Sequence, residues 1–221
     1  MKSDRNLGST IKNMDLSLYL VTDRSLLPKE ATLEASVAQA LAGGCTIVQL
    51  REKEMSSLSF YESALSLKAV TDAFRVPLII NDRMDIALAV DAAGLHVGQS
   101  DLPAPVARRL LGPDKILGVS VNTLEEAKKA LQEGADYLGV GAMFPTGTKD
   151  DAVLVTMEEL KRIKKEIPLP IVIIGGINAS TLPLFKGTGI DGAAVVSAIL
   201  AQKDPKSAAQ SLRETFSALG V

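Results

Sequence analysis

The chain has 221 residues, 47% hydrophobic and 23% charged, the balance of a globular domain with enough apolar material to bury a core. A formal net charge of −2 supplies no basic excess for coating nucleic acid or an anionic membrane, so any recognition of phosphate must rest on a few locally placed cations. One histidine and one cysteine exclude zinc sites and Cys-His dyads by ligand count, which leaves carboxylates, hydroxyls, Lys, Arg or a hard metal ion for chemistry.

In chain order, the first segment, MKSDRNLGSTIKNMD, is polar, has no apolar run of signal-peptide length and reads as a flexible tail over residues 1–15. No later stretch approaches the roughly 18 apolar residues of a membrane span, so a cytoplasmic protein is expected. Runs rich in Val, Ile and Leu then recur as SLYLVT, TIVQL, PLIIN, GLHVG, ILGVS, YLGVG, PIVII and GAAVV. Helical periodicity separates them. In TLEEAKKALQEG, Leu124, Ala127 and Leu131 share one face while Glu125, Glu126, Lys128 and Lys129 take the other. Thr123 is placed to cap that helix and Gly134 to stop it. The order helix end, glycine, short turn, strand repeats in ALAGGCTIVQL, DAAGLHVG, LQEGADYLGV and GTGIDGAAVV, and Cys45 in the first of these reads as a small buried thiol.

No linker rich in Pro, Ser or charge interrupts the series, so residues 16–221 read as one domain. Strict alternation of strands and helices implies a parallel sheet covered by helices, because parallel neighbours need crossover connections. Eight units of roughly 25 residues predict the α/β class and a single (β/α)8 TIM barrel. An open doubly wound sheet is the rival. It binds mainly at its switch point, whereas here polar residues follow nearly every strand.

Those strand ends carry Thr22 and Asp23, then Gln49, Arg51 and Lys53, then Asn81 and Asp82, then Gln99, Ser100 and Asp101. The later ones carry Ser120 and Asn122, then Thr146, Thr148 and Lys149, then Gly175 and Gly176, and last Ser197. In a barrel all of them converge on one rim. A Gly-Gly turn after the seventh strand and Val196-Ser197 opening a helix after the eighth suit a phosphate monoester, although a tight turn and a helix cap would need the same residues. Asp82 and Asp101 suit Mg²⁺, and Arg51, Lys53 and Lys149 around them suit a diphosphate. The competing reading of both acids is helix capping, for Asp101 above all, since it precedes LPAPVARRLL. His96, inside GLHVG, reads as a satisfied structural histidine rather than a general base.

The segments LYLVTDR, VQLREK, LIINDR, GLHVGQSDLP, GVSV, DYLGVGAMFPTGTK, IGGIN and VVSAI, in that order, resemble the thiamine-phosphate synthase family from Leu18 to about Leu219. The resemblance implies a transferase of thiamine biosynthesis that joins 4-amino-2-methyl-5-hydroxymethylpyrimidine diphosphate to a thiazole phosphate, with Mg²⁺ and release of diphosphate. It further implies that Gln49, Leu50, Arg51, Glu52 and Lys53, with Asn81, Ser120 and Lys149, bind the pyrimidine diphosphate. Within that set Arg51, Lys53, Ser120 and Lys149 take the catalytic part. Asp82 and Asp101 are implied as the metal ligands. The thiazole phosphate falls to Thr146, Gly147, Thr148, Gly176, Val196 and Ser197.

The implied partners are two small phosphorylated substrates, with no nucleic acid, no membrane and room for a homo-oligomer. MFPTGTKDD then reads as a lid-like loop where the substrates meet, with Asp150 and Asp151 given no role. One departure is Gly141-Ala142-Met143-Phe144, where many members have Gly-Pro before the aromatic, and the piece after Lys149 is short. Two alternatives remain on the same scaffold: a thiazole tautomerase-like paralogue, whose histidine corresponds to Ala142, and a non-catalytic barrel that binds thiamine phosphate.

Overall fold

A computed structural model of the protein describes residues 14–147 and 153–220. Each apolar run forms a parallel strand: β1 (Leu18–Val21), β2 (Ile47–Leu50), β3 (Leu78–Asn81), β4 (Gly94–Val97), β5 (Ile116–Val121), β6 (Tyr137–Val140), β7 (Ile171–Ile173) and β8 (Gly192–Val195). They pair in chain order and close, β8 returning to β1 with Ala194 opposite Tyr19. The expected (β/α)8 barrel is therefore the fold, and the open sheet is excluded by closure. The strands are buried on both faces, as parallel strands covered by helices must be, so they read as near-continuous apolar runs.

The crossovers are α1 (Leu33–Ala42), α2 (Ser57–Ala73), α3 (Met84–Ala89), α4 (Ala104–Leu111), α5 (Leu124–Gln132) and α6 (Met157–Glu166), with α7 (Ser197–Leu200) and α8 (Pro205–Ser217) after β8. Thr32, Ser56, Thr123, Thr156 and Asp204 each accept the N–H three residues on, satisfying a donor that the first helical turn leaves free. Thr123 is thus the expected cap of α5, and the chain leaves that helix through Gly134 at φ +91°. The seventh crossover is the exception to the α-helical series. There Asn178 Oδ1 accepts the N–H groups of Ser180 and Thr181, and the chain makes only a 3-10 turn at Leu182–Phe185, with Pro183 in its first turn.

Alternation along the strands divides the core into two layers. Leu18, Leu20, Val48, Leu50, Leu95 and Val97 face the helices, while Tyr19, Ile47, Ile79, Ile116, Tyr137 and Val172 fill the barrel. Met14 packs against that inner layer, and Asp15 pairs with Arg213 of α8 at 2.8 Å. The rest of the expected tail, to residue 13, lies outside the described residues. Cys45 is buried, as expected, and burial pushes its thiol up to about 12.

At the N-terminal end of the barrel Asp136 accepts the Leu117 N–H at 2.7 Å and an Arg108 guanidinium N–H. Arg108 also donates to the carbonyls of Gly134, Gly112 and Lys115 at 3.1, 2.8 and 2.8 Å. The same device recurs before β8, where Asp191 accepts from Ile171 N–H at 2.8 Å and from Lys164 at 2.6 Å. These pairs tie neighbouring strands and helices on the face opposite the polar rim.

Candidate active site

Every strand end that the sequence marks as polar lies at the carboxyl end of the barrel, because the strands are parallel and in order. Arg51 leaves β2 with its N–H donated to Thr22 Oγ1 at 3.0 Å, and Thr22 is itself fully buried at the end of β1. The loop root is therefore rigid. Lys53 is exposed, and the Glu52 carboxylate is taken by Arg24 at 3.1 Å, which ties this loop to the one after β1. Leu50 is wholly buried against the helices, so only its main chain can face the rim.

Asp82 sits at φ +60°, a conformation costly for a non-glycine residue, with its N–H donated to the His96 carbonyl at 2.9 Å. This backbone turn places it beside Asp101 from the next crossover. Neither acid caps a helix. The residue before α3 is Arg83 and that before α4 is Pro103, and no side chain caps either helix. Asp101 instead turns back to accept the Gly98 N–H at 2.7 Å, an approach that a side chain at Gly98 would crowd, since its Cβ would stand 3.0 Å from Asp101 Oδ2. The capping reading of the two acids is thereby replaced by a shared one.

Burial, together with the Asp101 carboxyl hydrogen-bonded to it, pushes the Asp82 carboxyl up to about 7, while Arg51 and Asn81 pull the other way. Two adjacent carboxyl groups are a natural seat for a cation. Among the described residues no third ligand of the His, Cys, Asp or Glu type joins them. That set fits Mg²⁺, which commonly takes one or two protein carboxylates and completes its shell with water and phosphate oxygens.

Across the rim, β6 and β7 approach closely. Gly175 and Gly176 have φ of +95° and +64°, and a Cβ on them would stand 2.5 Å from Ala142 Cβ and 2.7 Å from Phe144 Cβ. Glycine is required here by space and by φ together. The Gly176 carbonyl accepts the Thr181 hydroxyl at 2.9 Å, which fixes the turn. The Gly141-Ala142 peptide is cis. The loop that begins there is pinned at its base, Ala142 N–H to Val153 O at 3.1 Å and Val155 N–H to Ala142 O at 2.8 Å. Thr146 and Gly147 lie on its described part, Thr146 half-buried and Gly147 exposed. Thr148, Lys149, Asp150 and Asp151 lie outside the described residues. Val196 and Ser197 open α7 at the same end of the barrel, directly after β8.

His96 is 8% exposed and points into the barrel, where its two ring nitrogens meet Tyr137 Oη at 2.9 Å and Ser120 Oγ at 2.8 Å. It is the satisfied histidine that the sequence suggested, and burial lowers its pKa to about 4. Ser120 is the upward neighbour of this ring, and its carbonyl accepts the Gln99 side chain at 2.7 Å. Tyr19 and Tyr137 were passed over by sequence reasoning. The available signal was a phenol at the first inward position of two otherwise apolar strands, since a buried Tyr hydroxyl requires a partner.

Comparison with known proteins agrees with this architecture. The family model described as thiamine monophosphate synthase matches residues 18–199. The chain is 57% identical over 203 residues to the thiamine-phosphate synthase of Clostridium beijerinckii, covering 92% of this chain and 97% of that protein. The corresponding protein of Ruminiclostridium cellulolyticum is 58% identical, with 92% and 96% covered. Among solved structures, the thiamine phosphate pyrophosphorylase of Pyrococcus furiosus superimposes with a TM-score of 0.85 at 39% identity, over 93% of this chain and 98% of that one. With a closed barrel, a rim bearing paired acids and cations, and relatives matched over nearly their whole length, the chain belongs to the thiamine monophosphate synthase family.

Proposed function

We propose that this transferase, acting in the cytoplasm, joins a pyrimidine methyl diphosphate to a thiazole phosphate by a dissociative path on the rim described above. The observation that carries the reading is the Asp82–Asp101 pair: two acids from adjacent crossovers, free of capping duty, set against each other beside Arg51. Asp82 and Asp101 would hold Mg²⁺, which when bound supplies positive charge to the departing diphosphate.

The bond that breaks joins the pyrimidine methylene carbon to the bridging oxygen, and its electron pair leaves with the diphosphate. The thiazole nitrogen then donates its lone pair to the pyrimidine methyl cation, forming the C–N bond. No proton is removed from the nucleophile, so a site without a free histidine or thiol base suffices. Arg51 and Lys53, with Lys149, are assigned to the charge that builds on the diphosphate; one well-placed donor of this kind contributes about 3 to 4 kcal/mol. Gln49, Asn81 and Ser120 are assigned to the pyrimidine, with the main chain at Leu50 and Glu52 lining its diphosphate. Thr146, Gly147, Thr148, Gly176, Val196 and Ser197 are assigned to the thiazole phosphate, which they hold facing the cation. Alignment of the two substrates supplies much of the remaining acceleration.

The direct test is incubation of the purified protein with both substrates and Mg²⁺. Thiamine phosphate and diphosphate are expected in equal amounts by mass spectrometry, and EDTA is expected to stop their formation. Full turnover with chelator present would remove the metal assignment, and no product from folded protein would favour a binding barrel.

The raised pKa of Asp82 also predicts a pH effect on the metal-free protein. A carboxyl whose pKa is raised from 3.8 to about 7 holds its proton in the fold after the unfolded chain has lost it. The stability it contributes is fully present below about pH 3.8 and is lost as pH rises through about 7. The Tm of metal-free protein should therefore fall between these limits, and fall less in Asp101→Asn. Mg²⁺ should restore more of the Tm at pH 8 than at pH 5, since it needs the deprotonated pair; a Tm gain independent of pH would contradict this seat for the ion.

A further inference from the structure

Inside the barrel a chain of hydrogen bonds runs from β2 to β5 without a break. Gln49 Nε2 donates to Tyr19 Oη at 2.8 Å, and Tyr19 Oη meets Tyr137 Oη at 2.8 Å. Tyr137 Oη meets His96 Nδ1 at 2.9 Å, and His96 Nε2 meets Ser120 Oγ at 2.8 Å. The two ends are groups assigned above to the pyrimidine, while the three middle side chains are buried inside the barrel. Space for the central contact is built in by glycine. A Cβ on Gly118 would stand 2.2 Å from Tyr137 Cζ and 2.4 Å from His96 Nδ1, and one on Gly139 would stand 3.1 Å from His96 Cε1. Neither glycine has a positive φ, so each is explained by the room it leaves for this contact.

Proton counting gives the chain a direction. The Gln49 amide N–H can only donate, so Tyr19 Oη accepts there, and donating its single proton to Tyr137 is the arrangement that leaves no buried hydroxyl proton unpaired. Tyr137 must then spend its own on His96 Nδ1, which is accordingly unprotonated. The ring is neutral with its proton on Nε2, and donates to Ser120 Oγ. The Ser120 hydroxyl proton is left free to point out of the chain, toward the rim.

We propose that Tyr19, Tyr137 and His96 are positioning residues that fix Ser120 as a hydrogen-bond donor toward an acceptor atom of the pyrimidine, such as a ring nitrogen. This rests on the assignment of Ser120 to the pyrimidine. Turning the amide of Gln49 over would reverse every bond and make Ser120 an acceptor, so the buried chain decides which edge of a heterocycle the serine can read.

The only histidine of the chain makes the direction measurable. In ¹⁵N-labelled full-length protein without substrate, the imidazole should show a protonated Nε2 and a bare Nδ1. A protonated Nδ1 would overturn the proposal whatever the catalytic outcome. In Tyr137→Phe, which keeps the ring and removes the donor, the two tautomers should mix, and KM for the pyrimidine diphosphate should rise about tenfold, the scale of one neutral hydrogen bond. KM for the thiazole phosphate should stay within about twofold. Tyr19→Phe should act in the same direction, and Ser120→Thr should keep activity that Ser120→Ala loses. An unchanged tautomer and KM in Tyr137→Phe, or equal loss for both substrates with a matching fall in Tm, would reduce the chain to packing. Failure of the wild-type protein to make thiamine phosphate would instead strike the assignment of the site, which the substrate-free spectrum does not depend on.

Discussion

Asp101→Ala is expected to lower kcat/KM by on the order of 10²-fold or more while leaving Tm within about 4 °C of the parent. The two effects separate because Asp101 is not a helix cap: α4 starts behind Pro103, and the carboxylate spends its bonding on Gly98 N–H and on Asp82. Removing it costs one hydrogen bond, about 1 kcal/mol net, and takes away one of the causes, after burial, that raise the Asp82 pKa. The loss falls on function alone. Steady-state kinetics at saturating Mg²⁺ beside a thermal melt would check it, and the Mg²⁺-induced rise in Tm should vanish in the same variant. A Tm drop large enough to account for the lost rate would return Asp101 to a structural role.

Arg108→Ala should do the opposite, costing about 3 to 5 kcal/mol of stability with little change in the KM of the folded fraction. Its guanidinium joins three carbonyls and the Asp136 carboxylate on the face of the barrel away from the rim, and Asp136 in turn holds the Leu117 N–H. Arg108 and Asp136 side chains are 17% and 8% exposed, so truncating the arginine strands a buried acid. Burial already raises the pKa of Asp136 against the pull of Leu117 N–H and Arg108, and without the arginine it should rise further. Denaturant unfolding should show the loss at neutral pH. Asp136→Asn in the Arg108→Ala background should recover part of it, because a neutral amide needs no counter-charge. No coupling between the two substitutions would mean that Arg108 acts through its carbonyl contacts only.

The contrast between these residues shows how unevenly the molecule could be read from its chain. Strand positions, the α5 cap and the polar strand ends were legible because each depends on local spacing: period two, period 3.6, or a hydroxyl three residues before an N–H. Asp101 was ambiguous for the same reason, since an acid before LPAPVARRLL satisfies the local rule for a cap. The rule fails there because the chain reaches Pro103 before the helix begins and the carboxylate finds Gly98 first. The seventh crossover misled in the other direction, its expected helix giving way to a 3-10 turn that Asn178 organises from its own side chain.

The amino-acid sequence by itself determined the eight-fold alternation, the parallel barrel it requires, and the decoration of one rim with acids, cations and hydroxyls. These follow from patterns within about ten residues and from the rule that parallel strands need covered crossovers. Only the tertiary structure decided which of those groups meet. The pairing of Asp82 with Asp101 depends on a left-handed backbone turn at one and a reversal onto Gly98 at the other. The line from Gln49 through Tyr19, Tyr137 and His96 to Ser120 joins residues up to 118 positions apart, brought together by the stagger of the closed strands and the space left at Gly118 and Gly139. No local spacing encodes such contacts, because they arise from closure of the barrel and from what its interior must do with a buried hydroxyl.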